Sequence, residues 1–91
     1  MNKAQIVERI AQKTNLTKTD AEAYLDTTLE IIRASITRGD EVKLVGFGTF
    51  ARTKRKARMG RNPQTGKEVK IEAAFVPKFR PGKEFKDQVN K

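Results

Sequence analysis

Residues 46–76 read GFGTFARTKRKARMGRNPQTGKEVKIEAAFV, and this stretch decides the fold. Apolar residues recur at every second position from Val69 to Phe75, a period typical of a β-strand with one apolar face. Residues 51–59 carry almost no apolar side chains, and residues 60–66 combine Asn-Pro with a glycine at each end, which is typical of a turn. The pattern predicts a β-hairpin arm with two legs, each of about 10 residues and roughly 30 Å long.

Two helices are predicted before the arm. The first begins after Asn2, which has the capping-box spacing to Gln5. The second begins at Thr17, with Asp20 as its reciprocal partner, and ends before Gly39, a residue type favoured just beyond a helix. Each helix carries one apolar stripe at helical spacing. The stripes consist of Ile6, Val7, Ile10 and Ala11 in the first helix and Ala21, Leu25, Leu29, Ile32 and Ile36 in the second. Because these stripes are apolar, we expect them to pack against other apolar residues and not to face water.

Short elements flank the arm on both sides. Val42 and Leu44 alternate with charged residues, which predicts a short strand, and the glycines of residues 46–50 permit a bend between two strands. A Gly-x-Gly also occurs in phosphate-binding loops, but the third glycine and the following Lys-Ser/Thr are missing here. A C-terminal helix over about residues 83–90 is predicted to bury Phe85 and Val89, one turn apart.

The composition favours a chain stabilised by a partner subunit. The 91 residues are 36% hydrophobic and include neither cysteine nor histidine. A small core, without a disulfide and without the commonest metal ligand, usually depends on oligomerisation. We therefore expect a dimer without metal or cofactor. No stretch is apolar enough to span a bilayer, and the N-terminus lacks a signal-peptide pattern, so we expect a cytoplasmic protein.

The charge is concentrated in the predicted arm. The net charge is +9, and ten of the 20 basic residues lie between positions 52 and 80, where only two acidic residues occur. Arg52, Lys54, Lys56 and Arg58 share one face by parity, with Arg55 on the other face. A ribbon with so many basic and so few acidic side chains matches a line of phosphates. We therefore favour binding to a polyanion over the alternative that these charges form an ordinary solvated surface. It offers few groups for reading base edges, which favours recognition of shape and deformability.

The tip contains Pro63, for which two interpretations stand. Proline is a common turn former. Because it lies at the end of the most basic segment, it is also a candidate apolar wedge that separates base pairs and kinks a duplex.

Residues 46–50, together with Arg55, Arg58, Gly60 and residues 61–67, resemble the signature of the bacterial histone-like HU/IHF family, closest to HU. The resemblance extends over the whole chain. It implies an α+β fold: a helical-hairpin base, a three-stranded antiparallel sheet with an extended β-ribbon arm, a short C-terminal helix and an intertwined dimer. One domain, residues 1–91, is expected, with a dimerisation base over 1–40, a saddle and arm over 41–82 with the tip near 60–66, and the C-terminal helix over 83–91.

The resemblance also implies a function. It predicts architectural, largely sequence-independent binding and bending of double-stranded DNA through the minor groove, which compacts the bacterial nucleoid; the family is itself a standard example of minor-groove wedging. The partners implied are duplex DNA, including nicked or distorted DNA, some RNA, and a second copy of the chain or a paralogue. The DNA-binding residues expected from charge and resemblance are Lys3, Arg52, Lys54, Arg55, Arg58, Arg61, Asn62, Pro63, Gln64, Lys67, Lys70, Arg80, Lys83 and Lys86, with Pro63 intercalating. The expected dimer core is Leu29, Ile32, Ile36, Leu44, Phe47, Phe50 and Phe79.

Two positions depart from the family pattern. Thr53 interrupts the basic run where many members are basic, and Phe75 is aromatic where many members are polar. The first predicts slightly lower affinity for DNA. The sequence suggests no role for the second.

Four other classes of function compete with DNA bending. An enzyme is disfavoured because Tyr24, Ser35 and the carboxylates form no catalytic constellation. A single-strand RNA-binding protein would need stacking aromatics on a sheet platform, but the phenylalanines are spaced as core. A sequence-specific IHF-like subunit with a different partner chain remains open. A membrane-surface role fits poorly because the basic segment reads as a ribbon, not an amphipathic helix.

Overall fold

Three helices and five strands follow one another along the chain. The computed structural model describes all residues, 1–91. The elements are α1 (Lys3–Thr14), α2 (Lys18–Thr37), β1 (Val42–Leu44), β2 (Gly48–Arg55), β3 (Arg58–Arg61), β4 (Glu68–Ile71), β5 (Ala74–Pro81) and α3 (Lys83–Val89). The residues form two compact units, Met1–Ala34 and Ser35–Lys91, and the predicted division into base, saddle, arm and C-terminal helix stays a prediction.

Helix α1 begins with the predicted capping box. The Asn2 side chain accepts a hydrogen bond from the Gln5 backbone N–H at 3.0 Å, and the Gln5 side chain accepts one from the Asn2 backbone N–H at 2.9 Å. Two of the N–H groups that a helix start leaves unpaired are thereby satisfied. The helix ends at Thr14 and is capped by Asn15, whose φ of 59° is left-handed. Val7 is buried, whereas Ile6 of the same predicted stripe is exposed.

Helix α2 has the predicted start and end. The Thr17 hydroxyl accepts a hydrogen bond from the Asp20 N–H at 3.1 Å. At the other end, Gly39 has a φ of +92° and donates to the Ile36 carbonyl, while Asp40 donates to the Ser35 carbonyl at 2.9 Å. This pair of bonds is a Schellman motif, in which glycine adopts the left-handed conformation without the penalty of a Cβ.

The arm consists of two antiparallel ladders, where the sequence predicts two continuous legs. A three-stranded sheet has the order β1-β2-β5, and a separate two-stranded sheet pairs β3 with β4. The first ladder ends where Arg55 faces Ala74, and the second begins where Arg58 faces Ile71. Two unpaired residues on each leg, 56–57 and 72–73, separate the ladders. Because the two gaps are equal in length, the pairing resumes in the same register.

A cluster of four phenylalanines lies where β2 and β5 approach α3. The ring centroids of Phe50 and Phe79 are 4.8 Å apart, and Phe47 lies 5.2 Å from both Phe79 and Phe85. Gly48 makes this approach sterically feasible, since a Cβ there would lie 2.6 Å from the Phe79 ring. The turn before it contains Gly46, with a φ of +84°. These contacts place the predicted aromatic core around a glycine that no larger residue can replace without displacing Phe79.

A single chain leaves most of its apolar residues open to solvent. Among the hydrophobic residues only Val7, Ala21 and Ala51 are buried, and no large side chain is fully buried. Among the predicted dimer-core residues, Phe47 is 44% exposed and Leu44 is 41% exposed, with Leu29 and Phe79 only slightly less so; Ile32, Ile36 and Phe50 are intermediate. An isolated chain would therefore gain little stability from apolar burial.

Helix α3 contributes less to packing than its sequence predicts. Phe85 is half-buried and stacks on Phe47. Val89 is 70% exposed, so the prediction that α3 buries both residues is wrong for Val89 within one chain. Val89 is the last residue of α3, and no residue of this short helix is buried within one chain. None of the three helices combines the length and apolar character needed to cross a membrane.

Candidate nucleic-acid interface

The tip of the arm is held in shape by hydrogen bonds that converge on Asn62. Its carbonyl oxygen accepts from the Gly66 N–H at 2.7 Å, and its side-chain oxygen accepts from the Gln64 N–H at 2.8 Å. Its own N–H donates to the Lys67 carbonyl at 2.8 Å. Asparagine is suited to this role because its side chain imitates a backbone acceptor in an Asx turn. Pro63, whose backbone nitrogen has no hydrogen to donate, lies exposed between these bonds.

The outer ladder presents an apolar face and a mixed face. Gly60 faces Val69 and Arg58 faces Ile71, so these four residues share one side. The Ile71 side chain extends across Gly60, where a Cβ would lie only 2.7 Å from the Ile71 Cδ1 atom. The opposite side carries Met59, Arg61, Glu68 and Lys70. Arg58 and Arg61 therefore project to opposite faces of the ribbon.

Arg55 bridges the gap between the two ladders. Its guanidinium donates to the Glu72 carbonyl oxygen at 3.1 Å. That carbonyl belongs to one of the unpaired positions, so the side chain supplies a hydrogen bond where the backbone ladder supplies none.

The inner ladder places basic and apolar side chains next to one another. Lys54 faces Phe75, and Arg52 faces Pro77, all on one side of β2 and β5. Arg52 is turned inward: its guanidinium donates to the Thr37 carbonyl at 3.1 Å and lies 3.8 Å from the centroid of the Phe75 ring. Lys54 has no such partner.

Several predicted DNA-binding cations already have partners within the chain. Arg80 donates to Glu41 at 3.0 Å, and Lys70 lies 3.9 Å from Glu72. Lys3, in the other compact unit, lies 2.7 Å from Asp26 and 3.9 Å from Glu22. The hydrogen bond that the Lys3 ammonium donates to the Asp26 carboxylate raises the pKa of Lys3 above its ordinary value of 10.5. All these pairs are exposed, and surface pairs of this kind contribute little to stability because solvent screens them.

The remaining predicted cations are unpaired and exposed. Their charged groups form neither an ion pair nor a side-chain hydrogen bond within the chain. They are Lys54, Arg58, Arg61, Lys67, Lys83 and Lys86. The first four lie along the arm, and the last two lie on α3. The predicted cations thus fall into two groups. One group is available to bind a polyanion directly, and the other must first break an ion pair or hydrogen bond within the chain.

Sequence reasoning missed two features of this surface. It did not foresee that the Arg52 guanidinium is engaged at the end of α2, and the assignment of Arg52 to DNA binding stays a prediction. It also did not foresee that Ile71 covers Gly60. The sequence shows the apolar alternation of β4 and the glycine of β3. Only the pairing register of these two strands shows that the Ile71 side chain lies next to Gly60. No group of three or more carboxylate, histidine or cysteine side chains could hold a metal ion.

The whole chain matches a known family. The family model described as bacterial DNA-binding protein matches residues 1–90. DNA-binding protein HU-alpha of Escherichia coli O157:H7 is 56% identical over 89 residues, which cover 98% of this chain and 99% of that protein. DNA-binding protein HU-beta of Salmonella typhimurium is 53% identical over 90 residues, covering 99% of this chain and 100% of that protein.

The chain belongs to the HU proteins of this family. Two solved structures agree with the assignment. The cocrystal structure of Anabaena HU with DNA has a TM-score of 0.94 at 46% identity and covers 98% of this chain and 97% of that one. HU from Thermotoga maritima has a TM-score of 0.69 at 36% identity and covers 98% of each chain.

Membership in the HU family confirms the resemblance drawn from the arm and the Gly46–Phe50 segment. It also confirms the α+β fold with a helical hairpin, an antiparallel sheet with a ribbon arm and a C-terminal helix. The family is one of DNA-binding proteins and not of enzymes, in agreement with the lack of a catalytic constellation in the sequence.

Proposed function

We propose that this HU-family chain is an architectural protein that binds double-stranded DNA as a homodimer and bends it with little regard to sequence. The observation that carries the proposal is the arm itself. It has unpaired cations along its length, an apolar face in its outer ladder and an exposed proline at a hydrogen-bonded tip. An isolated two-stranded ribbon is marginally stable in water, so its natural setting is against another surface.

The cations bind the phosphates. Lys54, Arg58, Arg61 and Lys67 are spaced along about 25 Å of ribbon and have no partners to release first. Lys83 and Lys86 on α3 add contacts to flanking phosphates, while Lys3, Lys70 and Arg80 contribute only after exchanging a carboxylate for a phosphate. If about six to eight phosphates are neutralised, the logarithm of affinity falls with the logarithm of salt at a slope of roughly −5 to −7.

The apolar face of the outer ladder fits the minor groove. Val69 and Ile71 lie beside Gly60, the position at which the ribbon has no side chain on that face. Deoxyribose edges line the minor groove, and an apolar strip with Arg58 on the same face matches that surface. Such a surface reads groove width and deformability in preference to base identity.

Pro63 is the wedge, and its neighbours hold it in place. The hydrogen bonds to Asn62 fix the turn on both sides of the ring, so inserting it between base pairs costs little further ordering of the tip. Unstacking a base step costs a few kcal/mol and is repaid by the contacts of a bent duplex. Nicked or otherwise distorted DNA has lost part of that stacking, so we expect it to bind more tightly than intact duplex.

The open apolar surface supplies the dimer. Phe47 and Leu44 are more than 40% exposed in the single chain, and no large side chain is fully buried. A second copy covers these residues with the same set of side chains, as the symmetry of homodimers requires. Two arms on one dimer then grip the duplex at two places, and repeated binding of this kind compacts DNA into the nucleoid of the bacterial cytoplasm.

A salt titration of binding to short duplexes of unrelated sequence, with a dye at each end, tests the proposal. The expected result is similar affinity for all duplexes, a steep salt slope and a shorter distance between the dyes. A strong preference for one duplex would instead indicate a sequence-specific subunit of the IHF type. Absence of binding even at low salt would overturn the proposal, because the arm would then serve another polyanion.

A further inference from the structure

Arg52 is a predicted DNA-binding residue of the arm whose guanidinium is bound within its own unit to the end of α2 and to an aromatic ring. One guanidinium nitrogen, Nη1, donates to the Thr37 carbonyl oxygen at 3.1 Å. The central carbon lies 3.8 Å from the centroid of the Phe75 ring. The other terminal nitrogen, Nη2, lies 3.0 Å from the position that a Cβ on Gly39 would occupy. The side chain therefore fills the space between the end of α2 and the face of β5.

Each of these contacts has a physical basis. Thr37 is the last residue of α2, where carbonyl groups lack helical partners and form the negative end of the helix dipole, so a cation is favourable there. Phe75 is the diagonal neighbour of Arg52, since it faces Lys54 while Arg52 faces Pro77. A planar guanidinium can stack on a ring while its N–H groups donate in the plane, which an ammonium group cannot do.

This arrangement gives Phe75 a role. Phe75 is 56% exposed even with the Arg52 guanidinium lying over its ring. The Phe75 ring lies under the Arg52 guanidinium. It supports the guanidinium at the position from which Arg52 donates to the Thr37 carbonyl. The aromatic residue that departs from the family pattern is thus one half of an interaction whose other half is Arg52.

We propose that Arg52 is a positioning residue that clamps the root of the arm, and that it does not bind phosphate. The inference rests on the proposed function. The clamp holds β2 through Arg52 and β5 through Phe75, and fixes both to the end of α2. Only three paired positions of β2, residues 53–55, separate it from the interruption at residues 56–57. A wedge at the tip bends a duplex only if the arm itself does not bend back when the wedge is inserted. Fixing the base of the arm to the end of α2 therefore lets the inserted tip deform the DNA instead of the arm.

The salt slope and the bend separate positioning from phosphate binding. The variants are Arg52→Ala, Arg52→Lys, Phe75→Leu and the double variant Arg52→Ala/Phe75→Leu, with Lys54→Ala as the matched control from the same face. We expect Lys54→Ala to reduce the magnitude of the salt slope by about one per subunit. Arg52→Ala and Phe75→Leu should leave the slope unchanged and lengthen the dye-to-dye distance on bound DNA.

Coupling between the two residues is the second readout. Because Arg52 and Phe75 form one clamp, the double variant should bend DNA as much as either single variant does. Arg52→Lys should bend DNA no more than Arg52→Ala, because an ammonium group cannot replace the stacked guanidinium. A salt slope for Arg52→Ala as shallow as that of Lys54→Ala would overturn the proposal, and so would additive losses of bending. An unchanged bend in Arg52→Ala would also overturn it. Circular dichroism and thermal unfolding at one protein concentration establish that each variant is folded.

A measurement without DNA keeps the clamp testable even if the proposed function fails. Ring currents of Phe75 should shift the NMR signals of the Arg52 side-chain protons to high field in the free protein. The shift should disappear in Phe75→Leu and persist in Lys54→Ala. Absence of the shift in the unmodified protein would disprove the clamp itself, whereas loss of DNA binding with the shift present would disprove only the proposed function.

Discussion

The Arg55 guanidinium donates a hydrogen bond to the Glu72 carbonyl oxygen at 3.1 Å, across the point where the ladder of the arm is interrupted. The backbone on either side is paired in one continuous register, from Gly48 opposite Pro81 to Arg61 opposite Glu68. Between the ladders, this side-chain bond takes the place of backbone bonds. The outer ladder therefore depends on Arg55 for part of its connection to the inner one.

Replacing Arg55 by alanine should loosen the outer ladder. An intramolecular hydrogen bond contributes about 0.5–1.5 kcal/mol net, and an exposed one falls at the lower end, so amide exchange in β3 and β4 should quicken about two- to fivefold. Hydrogen exchange measured by NMR on the free protein reports this directly. Arg58→Ala is the matched control, because Arg58 carries the same charge without an internal bond. Equal acceleration in both variants would show that charge, and not the hydrogen bond, is responsible.

Replacing Gly60 by alanine should disrupt the same ladder for a steric reason. The new Cβ would lie 2.7 Å from the Ile71 Cδ1 atom, so Ile71 must shift. Overpacking of this kind costs about 1–3 kcal/mol, and less where a side chain can move into solvent. Adding Ile71→Val removes the clashing atom and should restore amide protection in β4. If the double variant is no better protected than Gly60→Ala alone, the clash is not the cause.

Pro63 and the arginines near the tip should separate bending from affinity. Pro63→Ala removes the wedge and should reduce bending more than affinity. Arg58→Ala with Arg61→Ala removes two cations per subunit and should lower affinity and flatten the salt slope by about two per subunit. End-labelled duplexes report bending and affinity in the same titration. Parallel losses of both properties in the two variants would contradict this division of roles.

Lys3 should stabilise the fold at neutral pH and cease to do so in alkali. Its pKa is raised, chiefly by the hydrogen bond to Asp26, so the folded state holds the proton more tightly than the unfolded state. The stabilisation is therefore complete below the ordinary pKa of 10.5 and is lost as the pH rises through the higher folded value. Urea unfolding midpoints of the protein and of Lys3→Met should differ at pH 8 and converge as the pH rises through the raised pKa of Lys3 in the folded state. A difference that stays constant over this range would mean that the ion pair is not its source.

Thermal stability should depend on protein concentration. With no large side chain fully buried in one chain, folding is coupled to association, and the melting temperature should rise with concentration. Phe47→Ala removes a ring that contacts both Phe79 and Phe85 and should lower the melting temperature at every concentration. Calorimetry over a hundredfold concentration range, with sedimentation to count subunits, provides the measurement. A melting temperature independent of concentration would contradict a dimer coupled to folding.

The sequence alone determined the features that depend on neighbouring residues. The capping box of Asn2 and Gln5, the left-handed Gly39 and the turn around Pro63 were predicted because each is stabilised by groups only a few positions away. The basic run and the Gly46–Phe50 segment also sufficed to indicate the family, since composition and local spacing are read directly from the chain.

Only the tertiary structure decided which distant residues meet. Alternation placed Arg52 on the same face as Lys54, yet nothing near position 52 indicates that its guanidinium reaches Thr37 and Phe75, which lie 15 and 23 positions away in the sequence. The paired interruptions at 56–57 and 72–73 and the packing of Ile71 over Gly60 likewise follow from the register of one strand on another. Register is set by the sum of many cross-strand contacts and the turn that joins the strands, so it cannot be read from either strand by itself.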